Sequence, residues 1–320
     1  MEIGFGFWIG FVVFVIVMLS LDLFVFHKKN TEVKVKEALL WSLFWIGLAV
    51  LFNIGIYFVV GHYGGFELGK QKSLEFLTGY LIEESLSVDN LFVFILIFGF
   101  FKIEPKFQHK ILFWGIIGAI IMRAVFIFAG VALIKQFDWV MYIFGAFLIY
   151  TGINMIFEKD DSEFNPNENI IIRTFKKIMP VTHDMSIPQF FVKKNRIIYA
   201  TPFFVVLLFI EASDLIFAVD SIPAVLSVSK DPFIVYTSNI FAILGLRSLY
   251  FALHGIMSYF HYLKYALSGI LTFIGAKMCI NEFYHSIIIS NFSSLAVIVF
   301  LLSASILLSI IVKKRQSEQS

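Results

Sequence analysis

Two acidic stretches inside apolar sequence decide the fold: EESLSVDNLFVF at residues 83–94 and EASDLIFAVDSIPAV at residues 211–225. Aligning the Asp-Asn of the first stretch with the Asp-Ser of the second pairs Asp89 with Asp220. Each stretch then reads as an acid, five further residues, and an Asp followed by Asn or Ser. This shared pattern predicts that the two stretches are copies of one unit.

The likeness continues beyond these stretches in the same order. GAIIMRAVFIFAG aligns with AILGLRSLYFALHG, and IFGAF aligns with FIGAK. The alignment makes three further pairs: Glu83 with Asp214, Arg123 with Arg247, and Gly145 with Gly275. Matching blocks in one order predict an internal repeat whose units cover about residues 77–157 and 205–283.

The composition indicates that lipid surrounds the chain. Of its 320 residues, 59% are hydrophobic and 15% are charged, against about 45–50% and about 25% in soluble domains. A soluble enzyme is therefore excluded, and a net charge of +2 with no basic stripe argues against a nucleic-acid binder. The single cysteine, Cys279, excludes a disulfide framework, a Cys-rich zinc site and a dithiol relay.

Apolar runs of about 20 residues predict membrane-spanning helices. Nine such spans are predicted, at residues 4–26, 38–60, 77–101, 111–134, 137–157, 200–228, 233–253, 262–283 and 289–312. The predicted fold class is thus an all-α polytopic membrane protein with about nine transmembrane helices and two inverted three-helix repeats.

The distribution of basic residues predicts the orientation. Of the 25 Lys and Arg residues, 18 lie in the first connection, in every second connection after it and in the C-terminal tail, and four lie in the other connections. The positive-inside rule then places the N-terminus outside and the C-terminus in the cytoplasm. The predicted location is the cytoplasmic, or inner, membrane. Because each repeat has an odd number of spans, the second unit enters the membrane from the opposite side, as in many secondary transporters.

These boundaries predict five parts of the chain. They are two N-terminal transmembrane helices (1–76), the first repeat (77–157), a cytoplasmic connector (158–199), the second repeat (200–285), and the last transmembrane helix with a cytoplasmic tail (286–320). The connector is charged and lacks a run of spanning length, so we expect a solvated linker with one short amphipathic turn.

Acidic residues within the predicted spans are the strongest functional signal. A charged residue at a helix centre costs about 2.5–3.5 kcal/mol on insertion scales. The third and sixth spans carry six acids: Glu83, Glu84, Asp89, Glu211, Asp214 and Asp220. With the basic Arg123, Arg247 and Lys277, the spans carry a net charge of −3. Two Arg–Asp pairs that merely hold the bundle together would leave four acids unexplained, and Asp22 is expected to be a hydrated charge at a helix end.

The spacing of the acids predicts an oxygen-rich cation site. Residues six apart on a straight helix lie about 240° and about 9 Å apart, so Glu83 and Asp89 can share a ligand only if the helix is interrupted. Pro223 in the sixth span, and Ser85 and Ser87 in the third, are candidate causes of such interruptions. With Asn90 and Ser221, the oxygens suit hard cations such as Mg²⁺, Ca²⁺ or Mn²⁺.

With these acidic repeats, the Arg-bearing spans and the opening LDLFVFHKK, the chain resembles the TerC/Alx family of integral membrane proteins, in the wider LysE-type exporter superfamily. The resemblance implies manganese efflux, and the family is named for tellurite resistance. It also implies metal positions at Glu83, Asp89, Asp214 and Asp220, with Glu84 and Glu211 next in line.

The sequence therefore predicts a divalent-metal transporter, most simply an Mn²⁺ exporter that works by alternating access. Its predicted partners are the metal ion as substrate and the lipid bilayer, with no permanently bound cofactor, no nucleic acid and an open oligomeric state. Asn90, Ser221, Arg123 and Arg247 are predicted to support the site. Alternatives are a tellurite-resistance-linked membrane scaffold that recruits partners through the connector, and a membrane enzyme, for which no nucleophile or paired base stands out.

The topology is testable by labelling single cysteines in a Cys279→Ser background. We expect a membrane-impermeant maleimide to label position 72 in intact cells, because the charge bias places Lys72 outside. Position 176, in the connector, should be labelled only after lysis. Labelling of position 176 in intact cells would overturn the topology.

Overall fold

The computed structural model describes residues 5–26, 35–137, 139–157, 180–182, 189–194, 197–254, 262–284 and 288–319. These residues form nine helices and one two-stranded sheet. The helices are α1 (Phe5–Phe26), α2 (Val35–Gly64), α3 (Phe66–Phe100), α4 (Pro105–Gln136), α5 (Val140–Phe157), α6 (Pro202–Leu226), α7 (Pro232–His254), α8 (Leu263–Phe283) and α9 (Asn291–Gln319). Each predicted span corresponds to one of these helices.

The protein is an all-α, multi-pass membrane protein. Seven of its described helices are long and apolar enough to cross a membrane, and the outer helices leave most of their apolar side chains exposed. Such helices are stable only where lipid covers these side chains. For α3 and α8, which are outside those seven, the crossing of the membrane remains a prediction, as does the total of nine spans.

Proline and glycine set several helix boundaries. Pro105, Pro202 and Pro232 each begin a helix, where the missing N–H of proline costs no hydrogen bond. Gly65 joins α2 to α3 with a φ of +92°, a conformation that glycine adopts without steric cost. These residues turn the apolar sequence into separate helices with short connections.

The central helix of the bundle is α7, which packs against α1, α2, α3 and α4. Within its most apolar stretch, 89% of the residues are buried. Helices α3 and α6 run antiparallel, because Gly79 lies next to Val225 while Asn90 contacts Asp214. The two helices with the acidic stretches therefore face each other, and α3 also packs on α7.

Part of the connector forms a β-hairpin, which the sequence did not predict. Strand β1 (Phe191–Lys194) pairs with the antiparallel strand β2 (Ile197–Ala200), and Val181 forms a bridge to Ala200. Aromatic and β-branched side chains such as those of FFV and IIY favour strands, and the amphipathic turn stays a prediction for the rest of the connector. Most of residues 158–199 lie outside the described part of the chain.

Helices α5 and α8 approach each other with their backbones nearly in contact. A Cβ placed on Gly275 would lie 2.5 Å from the carbonyl oxygen of Gly145. A Cβ on Gly145 would lie 2.9 Å from the carbonyl oxygen of Gly275. Small residues allow this approach between membrane helices, where close packing replaces the hydrophobic effect as the driving force.

We expect Gly275→Ala to lower the melting temperature of the protein in detergent, because the added methyl group meets backbone atoms of α5. Overpacking of this kind costs about 1–3 kcal/mol. The matched control is Gly47→Ala, since no atom lies within 4 Å of its added Cβ. Equal melting temperatures for the two variants would contradict the close contact.

Candidate functional site

An arginine side chain lies at the centre of the candidate site. Arg123, halfway along α4, is 1% exposed and forms an ion pair with Glu83 on α3. Its second terminal nitrogen lies 3.7 Å from Oδ1 of Asp214 on α6. One buried guanidinium thus joins two buried carboxylates that belong to different predicted repeats.

Neutral polar groups complete the surroundings of the guanidinium. Arg123 donates hydrogen bonds to Oδ1 of Asn239 on α7, at 2.7 Å, and to Oγ of Ser221 on α6, at 3.3 Å. The Nδ2 of Asn239 donates to the carbonyl oxygen of Val235 at 2.9 Å. This second bond fixes the orientation of the amide, so its oxygen points at Arg123.

The remaining wall of the site contains polar atoms that lack hydrogen-bond partners. Asn90 donates to Oδ1 of Asp214 at 3.3 Å, but Oδ1 of Asn90 and Oδ2 of Asp214 are buried without hydrogen-bond partners. A cavity of about 40 Å³ lies beside Glu83, Asn90, Arg123 and Ser221. Since buried polar atoms are nearly always paired in proteins, these oxygens indicate room for a positively charged or hydrogen-bonding ligand.

The charge balance also indicates a site that can accept a cation. If both Glu83 and Asp214 are ionised, Arg123 neutralises only one of them, and the cluster keeps one negative charge. Uncompensated buried charge is costly, because each ion loses several kcal/mol of hydration. The arrangement can therefore accept a further cation, or a proton.

Helical periodicity explains why these residues meet. Glu83 and Asn90 are seven positions apart on α3, as are Asp214 and Ser221 on α6. Seven residues make nearly two full turns, so each pair lies on one face of its helix. The expected interruption is wrong for both helices: α3 is continuous across residues 83–89 and α6 across 214–220, with Pro223 inside it.

The other predicted site residues differ in position. Glu84 interacts with Tyr80 one turn earlier on α3, about 100° around the helix from Glu83. The half-buried Glu211 lies against Gly118 on α4. The side chains of Asp89 and Asp220 lie outside the described residues. Among the described side chains, no three His, Cys, Asp or Glu residues form a group that could hold a metal ion.

Two residues near the site were missed by the sequence reasoning. Asp22, expected to be a hydrated helix-end charge, is 6% exposed and forms an ion pair with Arg247. Asn239 was not singled out, although an amide inside an apolar span is costly to bury and was a usable signal. Arg247 had been expected to support the acids of the repeats, but the described carboxylate paired with it belongs to α1.

The chain is similar in sequence to known membrane proteins. The model of the "Integral membrane protein TerC family" matches residues 68–317. An uncharacterised membrane protein of Myxococcus xanthus is 48% identical over 98% of this chain and 95% of its own. A protein of Escherichia coli K12 named "Putative membrane-bound redox modulator Alx" is 46% identical over 87% of each chain. No solved structure matches the chain significantly.

We expect Arg123→Met to reduce the amount of folded protein and its melting temperature. The change leaves Glu83 and Asp214 buried without their counter-charge, and breaking such a pair costs about 3–5 kcal/mol. Adding Glu83→Gln and Asp214→Asn to Arg123→Met removes all three charges and should restore folded protein. A triple variant no more stable than the single one would show that charge compensation does not hold the site together.

Proposed function

The chain belongs to the TerC family of integral membrane proteins, and from that premise we propose that it exports a divalent metal cation, Mn²⁺, by alternating access. Glu83 and Asp214 bind the ion near the middle of the membrane. The proposal places the protein in the cytoplasmic membrane, with its N-terminus outside and its C-terminus in the cytoplasm. Mn²⁺ is the substrate in this proposal, and the protein acts as a transporter with no permanently bound cofactor.

The observation that carries the proposal is the convergence of two buried carboxylates from different helices on one guanidinium. In a bundle that exists only to be stable, apolar side chains would serve as well as a buried ion pair. Intramembrane ionisable residues are instead typical of ion pathways. Arg123 here stands in for the transported cation and keeps the carboxylates compensated when no ion is bound.

The donor atoms support a hard cation. The small cavity is lined by Glu83, Asn90 and Ser221, whose carboxylate, amide and hydroxyl oxygens are donors that suit Mg²⁺, Ca²⁺ and Mn²⁺. Asn90 also donates a hydrogen bond to Asp214. The choice of Mn²⁺ among them comes from the resemblance to exporters of this family. When the ion enters between Glu83 and Asp214, Arg123 is displaced toward Asn239, which already accepts a hydrogen bond from it.

The arrangement of equivalent residues supports alternating access. The contact of Asn90 with Asp214 has its counterpart in Ser221, which lies beside Glu83 at the same cavity. Gly145 and Gly275, also paired by the alignment, meet each other reciprocally. Reciprocal contacts between equivalent residues are expected about a two-fold axis, and inverted repeats of secondary transporters place their site at such an interface.

The name of the E. coli relative suggests a second candidate, a redox role. This chain has one cysteine, Cys279, so dithiol chemistry would require a thiol from a partner. Scaffolding through the connector is a third candidate, but it gives no reason for the buried Glu83–Arg123–Asp214 cluster. Metal transport accounts for the cluster directly.

The proposal predicts that Asp214→Asn abolishes Mn²⁺ flux while the protein stays folded. Folding should survive because Arg123 keeps Glu83 as its partner and one buried charge is removed. We would reconstitute the wild type and the variant in vesicles that contain an Mn²⁺-quenched dye, and expect the flux of the variant to fall to that of protein-free vesicles.

The matched control is Glu104→Gln, which removes an exposed acid outside the cluster and should leave the flux unchanged. Gel filtration of each variant checks folding. Wild-type flux from folded Asp214→Asn would contradict the assigned site, and vesicles in which the wild type moves no Mn²⁺ would contradict the choice of ion.

A further inference from the structure

A second buried ion pair joins α1 to the centre of the bundle. Arg247 on α7 is 2% exposed, and one of its terminal nitrogens pairs with the carboxylate of Asp22 on α1. The same nitrogen donates to the backbone carbonyl of Asp22 at 3.1 Å. Both charges are buried, so neither is left to water.

Among the described contacts, helix α1 is otherwise held by apolar packing, much of it aromatic. Phe11 and Phe14 pack on Phe241 of α7, with ring centroids 6.1 Å and 5.6 Å apart. Only 17% of residues Phe5–Asp22 are buried. Because few residues of α1 are buried, the Asp22–Arg247 ion pair is an important part of its attachment to the bundle.

Arg247 also faces the proposed metal site. A small cavity is lined by both Arg247 and Asp214, and its other lining residues, among them Phe94, Leu112 and Ile210, are apolar or glycine. Among the described residues that line this cavity, Asp214 is the one that carries a carboxylate. Its Oδ2 is buried without a hydrogen-bond partner, so it can accept a guanidinium that turns toward it.

We propose that Arg247 exchanges between Asp22 and Asp214, and that Asp22 is a positioning residue that keeps Arg247 off the metal-binding carboxylate. This inference rests on the proposed function. While Arg247 is held by Asp22, Asp214 is available to the ion. When α1 moves away from α7, Arg247 turns to Asp214 and displaces the ion.

The exchange links ion binding to the position of α1. A buried guanidinium needs a carboxylate in each state, so Arg247 and the metal ion compete for Asp214. Coupling between two equilibria is reciprocal. Bound Mn²⁺ must therefore favour the state in which α1 is attached through Asp22.

The first test measures Mn²⁺ affinity in detergent by isothermal titration. Asp22→Asn removes the carboxylate that holds Arg247 away from Asp214, and we expect at least a tenfold weaker affinity. Adding Arg247→Gln removes the competitor, so the double variant should regain tight binding, and Asp22→Glu should retain it. Unchanged affinity in Asp22→Asn, or no recovery in the double variant, would overturn the exchange. A wild type that binds no Mn²⁺ would instead contradict the proposed function on which it rests.

A second measurement does not depend on the folding of Asp22→Asn. Cysteines replace Phe14 and Phe241, whose rings pack together across α1 and α7, in a Cys279→Ser background. We expect Mn²⁺ to raise the rate of oxidative cross-linking severalfold, because it favours the attached state. The same protein without added divalent metal gives the baseline rate of cross-linking. A rate that does not respond to Mn²⁺ in protein that binds the ion would show that α1 is not coupled to the site.

Discussion

The centre of the molecule depends on one constraint: the positive charge of the buried Arg123 guanidinium must be balanced within the protein. In a bundle surrounded by lipid, a buried cation must find anions and hydrogen-bond acceptors within the protein. Arg123 finds them on three neighbouring helices: Glu83 on α3, Asp214 and Ser221 on α6, and Asn239 on α7. These contacts fix the rotation of α3, α4, α6 and α7 about their axes, and the apolar packing fills in around them.

Much of this fold was predictable, because helices that contact lipid are long apolar runs and such runs can be recognised in a sequence. Long apolar runs gave all nine helices, and the charged residues within them include Glu83, Arg123 and Asp214, which meet in one buried cluster. Seven-residue spacing also predicts which neutral groups share a face with the acids, and Asn90 and Ser221 do so. The expected helix interruptions arose from pairing residues six apart, which an unbroken helix places on different faces.

The partners of each charge were not predictable from one sequence. Whether Arg247 meets an acid of the repeats or Asp22 depends on where α1 docks, and α1 is almost uniformly apolar. A rotation of one residue, about 100°, moves a side chain to another neighbour. The connector hairpin was missed for a different reason: short apolar segments such as IIYA have no helical periodicity to set against their strand preference.

The backbone contact between Gly145 and Gly275 holds α5 and α8 tightly together. Side chains pack closely around it, because Sγ of Cys279 and Cγ1 of Ile149 lie 2.5 Å and 2.9 Å from the Cβ positions that the two glycines lack. A helix of the length of α8 extends about 15 Å to either side of its midpoint, so a tilt of about 10° carries its ends through about 2.6 Å. Because α5 and α8 are held together at this point, they tilt as a pair, and a small rotation there becomes a larger displacement at the ends of both helices.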